Sequence, residues 1–73
     1  PLPPQNTDTP EKLSEREKEV LRMVASGHTN AEIAAHLAIA PMTVNTHIRN
    51  IYRKLQVRTR AQAVRFASLR NLF

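Results

Sequence analysis

Three times in 73 residues a hydroxyl side chain is followed three positions later by Glu or Gln: Ser14 with Glu17, Thr29 with Glu32, and Thr59 with Gln62. That spacing lets the hydroxyl accept from the third helical N–H while the longer side chain returns to the cap's own N–H, so each pair marks where a helix starts. Beyond each box the apolar residues repeat at helical spacing. Leu13, Val20, Leu21 and Val24 share one face after the first, and Gly27, the only glycine, stands where a left-handed residue ends a helix. Ile33, Ala34 and Leu37 give the second helix one stripe, over about residues 30–37. A further helix begins without a box. Pro41 suits a first helical position, and Val44, Ile48, Ile51 and Leu55 mark a buried face across residues 41–55. After Thr59, Ala63, Val64 and Ala67 share a face, with Phe66 and Leu69 flanking it, in a last helix over about 60–72. No segment alternates apolar and polar residues between turn signals, so the fold class is all-α, with four helices.

Residues 1–12 are different in kind. Four of the five prolines lie there with almost no apolar side chains, a composition that does not offset the entropy of ordering. We expect a disordered linker or tail over 1–12 and one domain over 13–73.

Charge is segregated along the chain. The net charge is +5, yet residues 41–73 hold Arg49, Arg53, Lys54, Arg58, Arg60, Arg65 and Arg70 with no acid, while the preceding part is slightly acidic. Six of those seven bases are Arg, whose planar fork suits phosphates and base edges, so a polyanionic partner is expected. An enzyme is disfavoured: the one Asp lies in the linker, there is no Cys, and a single Gly rules out a Gly-rich phosphate loop. His28, His36 and His47 are separated by 8 and 11 residues, which matches no common chelating pair, so neither a metal nor a cofactor is expected. No apolar run approaches a membrane span, and with no cysteine framework a soluble cytoplasmic protein is the expectation.

The second and third helices, joined by a turn of three or four residues, have the layout of a helix-turn-helix: a short positioning helix, a bend, and a longer helix with one face free. With Val44, Ile48, Ile51 and Leu55 inward, Asn45, Thr46 and Arg49 project outward with Met42 beside them. Recognition helices contact base edges mainly through their N-terminal half, so Asn45, Thr46 and Arg49 are the base-reading candidates: Asn45 for adenine, Arg49 for guanine, Thr46 for a thymine methyl or a single hydrogen bond. Arg53, Lys54 and Arg58, with Thr43 and Asn30, are candidates for the phosphate backbone.

These residues resemble the LuxR/FixJ-type DNA-binding domain of bacterial transcription regulators. The likeness runs through Leu13-Ser14-Glu15-Arg16-Glu17, Val20-Leu21, Gly27, Asn30, Glu32-Ile33-Ala34, Leu37, Ile39, Thr43-Val44, His47, Lys54-Leu55, Val57 and Arg60. It implies sequence-specific binding of double-stranded DNA, base reading at the same three positions, an upstream sensory or phospho-acceptor domain, and a homodimer on an inverted-repeat site. The dimer would form through the last helix, with Ala63, Val64, Phe66, Ala67 and Arg70 as candidates. Two positions depart from the family pattern. Ala38 stands where the turn often has Gly, and Ala40 where Ser or Thr usually caps the recognition helix, a missing cap that costs about 1 kcal/mol, partly offset by Pro41.

Two single residues carry specific expectations. Glu17 sits on the apolar stripe, so beyond its capping box it needs a cation, Lys54 or Arg60. His47, beside the buried stripe of the third helix, is expected to be a partly buried structural residue with a hydrogen bond. The competing reading of the whole chain is a helical adaptor that binds a protein such as RNA polymerase through its basic face. Membrane-surface binding is disfavoured because the charge of the last helix surrounds it, and RNA binding because Tyr52, Phe66 and Phe73 form no stacking platform.

Overall fold

A computed structural model describes residues 13–69. They form four helices: α1 (Glu15–Ala25), α2 (Asn30–Leu37), α3 (Pro41–Leu55) and α4 (Arg60–Leu69). The expected linker and the end of the last helix, with Arg70, lie outside the described residues. No helix among the described residues is long and apolar enough to cross a membrane.

Each start is built as its side chains dictate, with one difference. Ser14 Oγ accepts from the Glu17 N–H at 3.1 Å while Glu17 Oε1 accepts from the Ser14 N–H at 2.9 Å. Thr29 and Glu32 repeat both distances at α2. At α4 only half of the expected box forms. Thr59 Oγ1 accepts from the Gln62 N–H at 3.1 Å, but Gln62 Oε1 accepts from the N–H of Arg58, at 2.7 Å, in place of Thr59's own. The return arm of the box has moved one residue upstream, where it satisfies an amide of the α3–α4 connection. At α3, Ala40 is extended and offers no side-chain cap, as expected, and Pro41 occupies the first turn.

The first three helices end in one way. The N–H of His28 donates to Met23 O and that of Gly27 to Val24 O. Ile39 and Ala38 do the same to Ala34 and Ala35, and Val57 and Gln56 to Tyr52 and Arg53. This paired closure needs one residue in the left-handed region. Gly27 meets it with φ +94, where glycine incurs no Cβ penalty. Ala38 and Gln56 meet it at φ 58 and φ 60 with side chains that do. Ala38 is marked by its family position, whereas Gln56 carries no local signal.

The closures orient four amphipathic helices around one core. Val20, Leu21 and Val24 from α1, Ile33 and Ala34 from α2, Val44, Ile48, Ile51 and Leu55 from α3, and Leu13 ahead of α1 are all buried. From α4 the core takes Ala63 and Ala67, both fully buried and four residues apart on one face. With only methyl groups there, the α4 backbone lies close to α1, against which it mainly packs. Val64 and Phe66 flank this seam half-buried, and Leu69 is exposed. α2 packs mainly on α3, holding one face of the longer helix and leaving the other to solvent.

Candidate nucleic-acid interface

The free face of α3 begins where the turn after α2 delivers it. The left-handed Ala38 reverses the chain, Ile39 packs against the core, and Pro41 starts a helix of 15 residues, about 22 Å long. Its inner positions 44, 48, 51 and 55 are buried, so the spacing of the helix leaves Met42, Asn45, Thr46, Arg49 and Arg53 outside, all exposed. Met42, a large apolar side chain, is 76% exposed.

The three base-reading candidates lie together on the N-terminal half of this face and differ in how each is held. Thr46 Oγ1 donates to Met42 O at 3.2 Å. Asn45 Oδ1 accepts from Asn30 Nδ2 at 3.0 Å, a bond from the first residue of α2 to the second turn of α3. Arg49 makes no hydrogen bond or ion pair with another described residue, so none of these residues occupies its guanidinium donors.

The five phosphate candidates separate. Thr43 is exposed beside the start of α3, Arg58 is exposed in the α3–α4 connection, and Arg53 lies on the outer face with Nη2 3.4 Å from Asn50 Oδ1. Asn30 is engaged at both ends of its amide: besides bonding Asn45, its Oδ1 accepts from Arg60 Nη1 at 3.1 Å, and Arg60 Nη2 donates to the backbone carbonyl of His28. Lys54 turns the other way. Its ammonium lies 2.8 Å from Glu17 Oε1, with the lysine side chain 19% and the glutamate side chain 7% exposed. Of the two cations expected for Glu17, Lys54 is the partner, at the α1–α3 junction. Burial alone would raise the Glu17 pKa. The hydrogen bond from Lys54, the Ser14 N–H, the ammonium charge and the Ser14 hydroxyl outweigh it and leave the carboxyl below its ordinary value.

Two further expectations change. Ala63 and Ala67 are taken up by this chain's own core, so in this fold neither is available to a second copy. His47 is half-buried as expected but forms no hydrogen bond with another described residue. Sequence reasoning missed Arg60 as the residue tying the start of α4 to α2, because its partners lie about thirty positions earlier and no local pattern links them.

Comparison with known proteins agrees with this geometry. The family described as bacterial regulatory proteins, luxR family, matches residues 11–67. The response regulator protein VraR of Staphylococcus saprophyticus subsp. saprophyticus is 46% identical over 68 residues, covering 93% of this chain and 32% of that protein. VraR proteins of Staphylococcus aureus and Staphylococcus epidermidis are each 48% identical over 62 residues, 85% of this chain and 30% of theirs. The chain thus spans about a third of the length of these curated relatives. Four helices with a positioning helix under an outward-facing α3, and a family match over most of the chain, lead to one assignment: the chain belongs to the luxR family of bacterial regulatory proteins, as a helix-turn-helix DNA-binding domain.

Proposed function

We propose that this domain is the output module of a response-regulator-type transcription factor and that it reads double-stranded DNA by laying α3 in the major groove. The observation that carries this reading is the outer face of α3, where Asn45, Thr46 and an Arg49 with no hydrogen-bond or ion-pair partner among the described residues stand together beside exposed Met42. Arg49 pairs with guanine O6 and N7, Thr46 offers a methyl to thymine, and Asn45 contributes an amide. Thr43, Arg53 and Arg58 flank this set and contact phosphates, adding affinity and salt dependence without sequence information. The proteins similar to it are named response regulators and are about three times as long, which supports a regulatory domain on the same polypeptide.

The domain acts as a dimer on an inverted repeat, through the side of α4 that its own core leaves free. An open groove of about 710 Å³ runs there between the end of α1 and α4, lined by Val24, Ala25, Ala61, Val64 and Leu69 among others. Val64, with Leu69 75% exposed at the edge, takes the place that Ala63 and Ala67 leave vacant in the expected interface.

Selection of duplexes from a random library, followed by fluorescence anisotropy over a salt series, tests this. Enrichment of a two-fold symmetric site, with affinity falling steeply as salt rises, is the expected result. Failure to enrich any sequence, with no salt-dependent binding, would favour a protein-binding role for the basic face.

A further inference from the structure

Asn45 does not stand on α3 as a free amide. Arg60 donates through Nη1 to Asn30 Oδ1 at 3.1 Å and through Nη2 to the carbonyl of His28, and Asn30 Nδ2 donates to Asn45 Oδ1 at 3.0 Å. The direction of this chain is fixed at its source. A guanidinium has donors only, so the Asn30 group facing it is the carbonyl oxygen and the NH2 is forced toward Asn45. A donor from Asn30 in turn draws the Asn45 oxygen inward. The NH2 of Asn45 is left outward, with no hydrogen-bond partner among the described residues.

Resting on the proposed DNA-reading role of α3, we infer that Arg60 and Asn30 are positioning residues that set the polarity of Asn45, so that it presents donors to the major groove and selects a base whose edge carries acceptors. Guanine, with N7 and O6 both accepting, fits best; thymine O4 fits less well, and cytosine, which offers only its N4 donor, is rejected. This revises the adenine pairing expected from residue type alone. That pairing needs the oxygen and the NH2 of Asn45 both directed at the base, and here the oxygen is turned toward Asn30. Base preference at this one position is therefore set by a residue at the start of α4, a full helix away in sequence from the base it governs.

Asn30→Asp tests the polarity directly. The carboxylate keeps an acceptor for Arg60 and suits the first turn of α2, so the fold is retained, but it has no donor for Asn45. Asn45 then turns its NH2 inward and offers its oxygen to the DNA. In library selection the native chain is expected to prefer guanine over cytosine at the position facing Asn45 by about five- to tenfold, the value of one hydrogen bond. Asn30→Asp is expected to reverse the preference toward adenine or cytosine at that position alone. Its added negative charge weakens all duplexes alike and cancels in the ratio. Arg60→Gln, whose amide supplies either a donor or an acceptor, is expected to relax the preference, and in an Asn45→Ala background Asn30→Asp is expected to have no effect on base choice. If Asn45→Ala abolishes the preference but Asn30→Asp leaves it as it was, the relay is overturned while the DNA-reading role stands. A uniform loss of affinity in the two relay variants with the base preference at that position unchanged also overturns it, by making their part structural. If the native chain enriches no sequence at all, the proposed function fails and the relay with it.

Discussion

The Nζ of Lys54 and the Oε1 of Glu17 lie 2.8 Å apart across 37 residues of sequence and join the last turn of α3 to the first turn of α1. Both side chains are largely removed from solvent, and the same carboxylate also closes the α1 capping box. One residue thus fixes the start of the first helix and the end of the recognition helix.

Removing one partner of a pair this buried leaves the other charge uncompensated. Lys54→Met is expected to destabilise the domain by about 2–4 kcal/mol, near the lower end of the range for broken buried pairs because the lysine retains some exposure. Urea unfolding of the variant checks this. A loss confined to DNA affinity, with unchanged stability, would mean that Lys54 contacts phosphate after all.

The same pair sets a pH dependence. Glu17 has a folded pKa below its ordinary value of about 4.5, so the unfolded chain binds its proton first as pH falls. Its contribution is complete above the ordinary value and is lost as pH falls through the depressed folded value. Stability of the native chain should therefore drop on acidification below about pH 4.5, and Glu17→Gln should flatten that part of the curve. Unfolding curves between neutral and strongly acidic pH compare the two slopes.

Ala38 and Gln56 hold left-handed conformations that cost a side chain about 1–2 kcal/mol. Glycine relieves the strain but adds about 0.5–1 kcal/mol of unfolded-chain entropy, so Ala38→Gly and Gln56→Gly should each gain up to about 1 kcal/mol. For a domain of this size that is a rise in Tm of several degrees, about 4–8 °C per kcal/mol. A fall in Tm would mean that contacts of the replaced side chains outweigh the backbone strain.

The uncapped start of α3 offers a second gain. Ala40 already has the extended backbone of a cap and lacks only the oxygen. Ala40→Ser should add about 1 kcal/mol, read as a raised Tm without DNA. No change would show that another group already satisfies those amides.

Much of the fold is legible in the sequence because its signals are local. Two complete capping boxes, Gly27, Pro41 and the stripe of Val44, Ile48, Ile51 and Leu55 depend on residues within one or two turns of each other, and they locate the helices. The outward set Asn45, Thr46 and Arg49 follows from that stripe by helical geometry alone. Tertiary distance hides the rest. The choice of Lys54 over Arg60 for Glu17, the tie from Arg60 through Asn30 to Asn45, and the burial of Ala63 and Ala67 depend on how the four helices settle on one another. The left-handed Gln56 has no compositional cue, since closure of α3 imposes that conformation on whichever residue stands there.

That the outer face of α3 reads base pairs is tested most directly by Arg49→Ala set against Arg58→Ala. On the selected duplex and a scrambled one, measured across a salt series, Arg49→Ala is expected to lose about 1–3 kcal/mol on the selected site and to relax preference at one position. Arg58→Ala should weaken both duplexes similarly and lower the salt slope by about one unit. If Arg58→Ala changes base preference while Arg49→Ala weakens all duplexes equally, α3 does not present this face to the bases, and base reading by Asn45, Thr46 and Arg49 is contradicted.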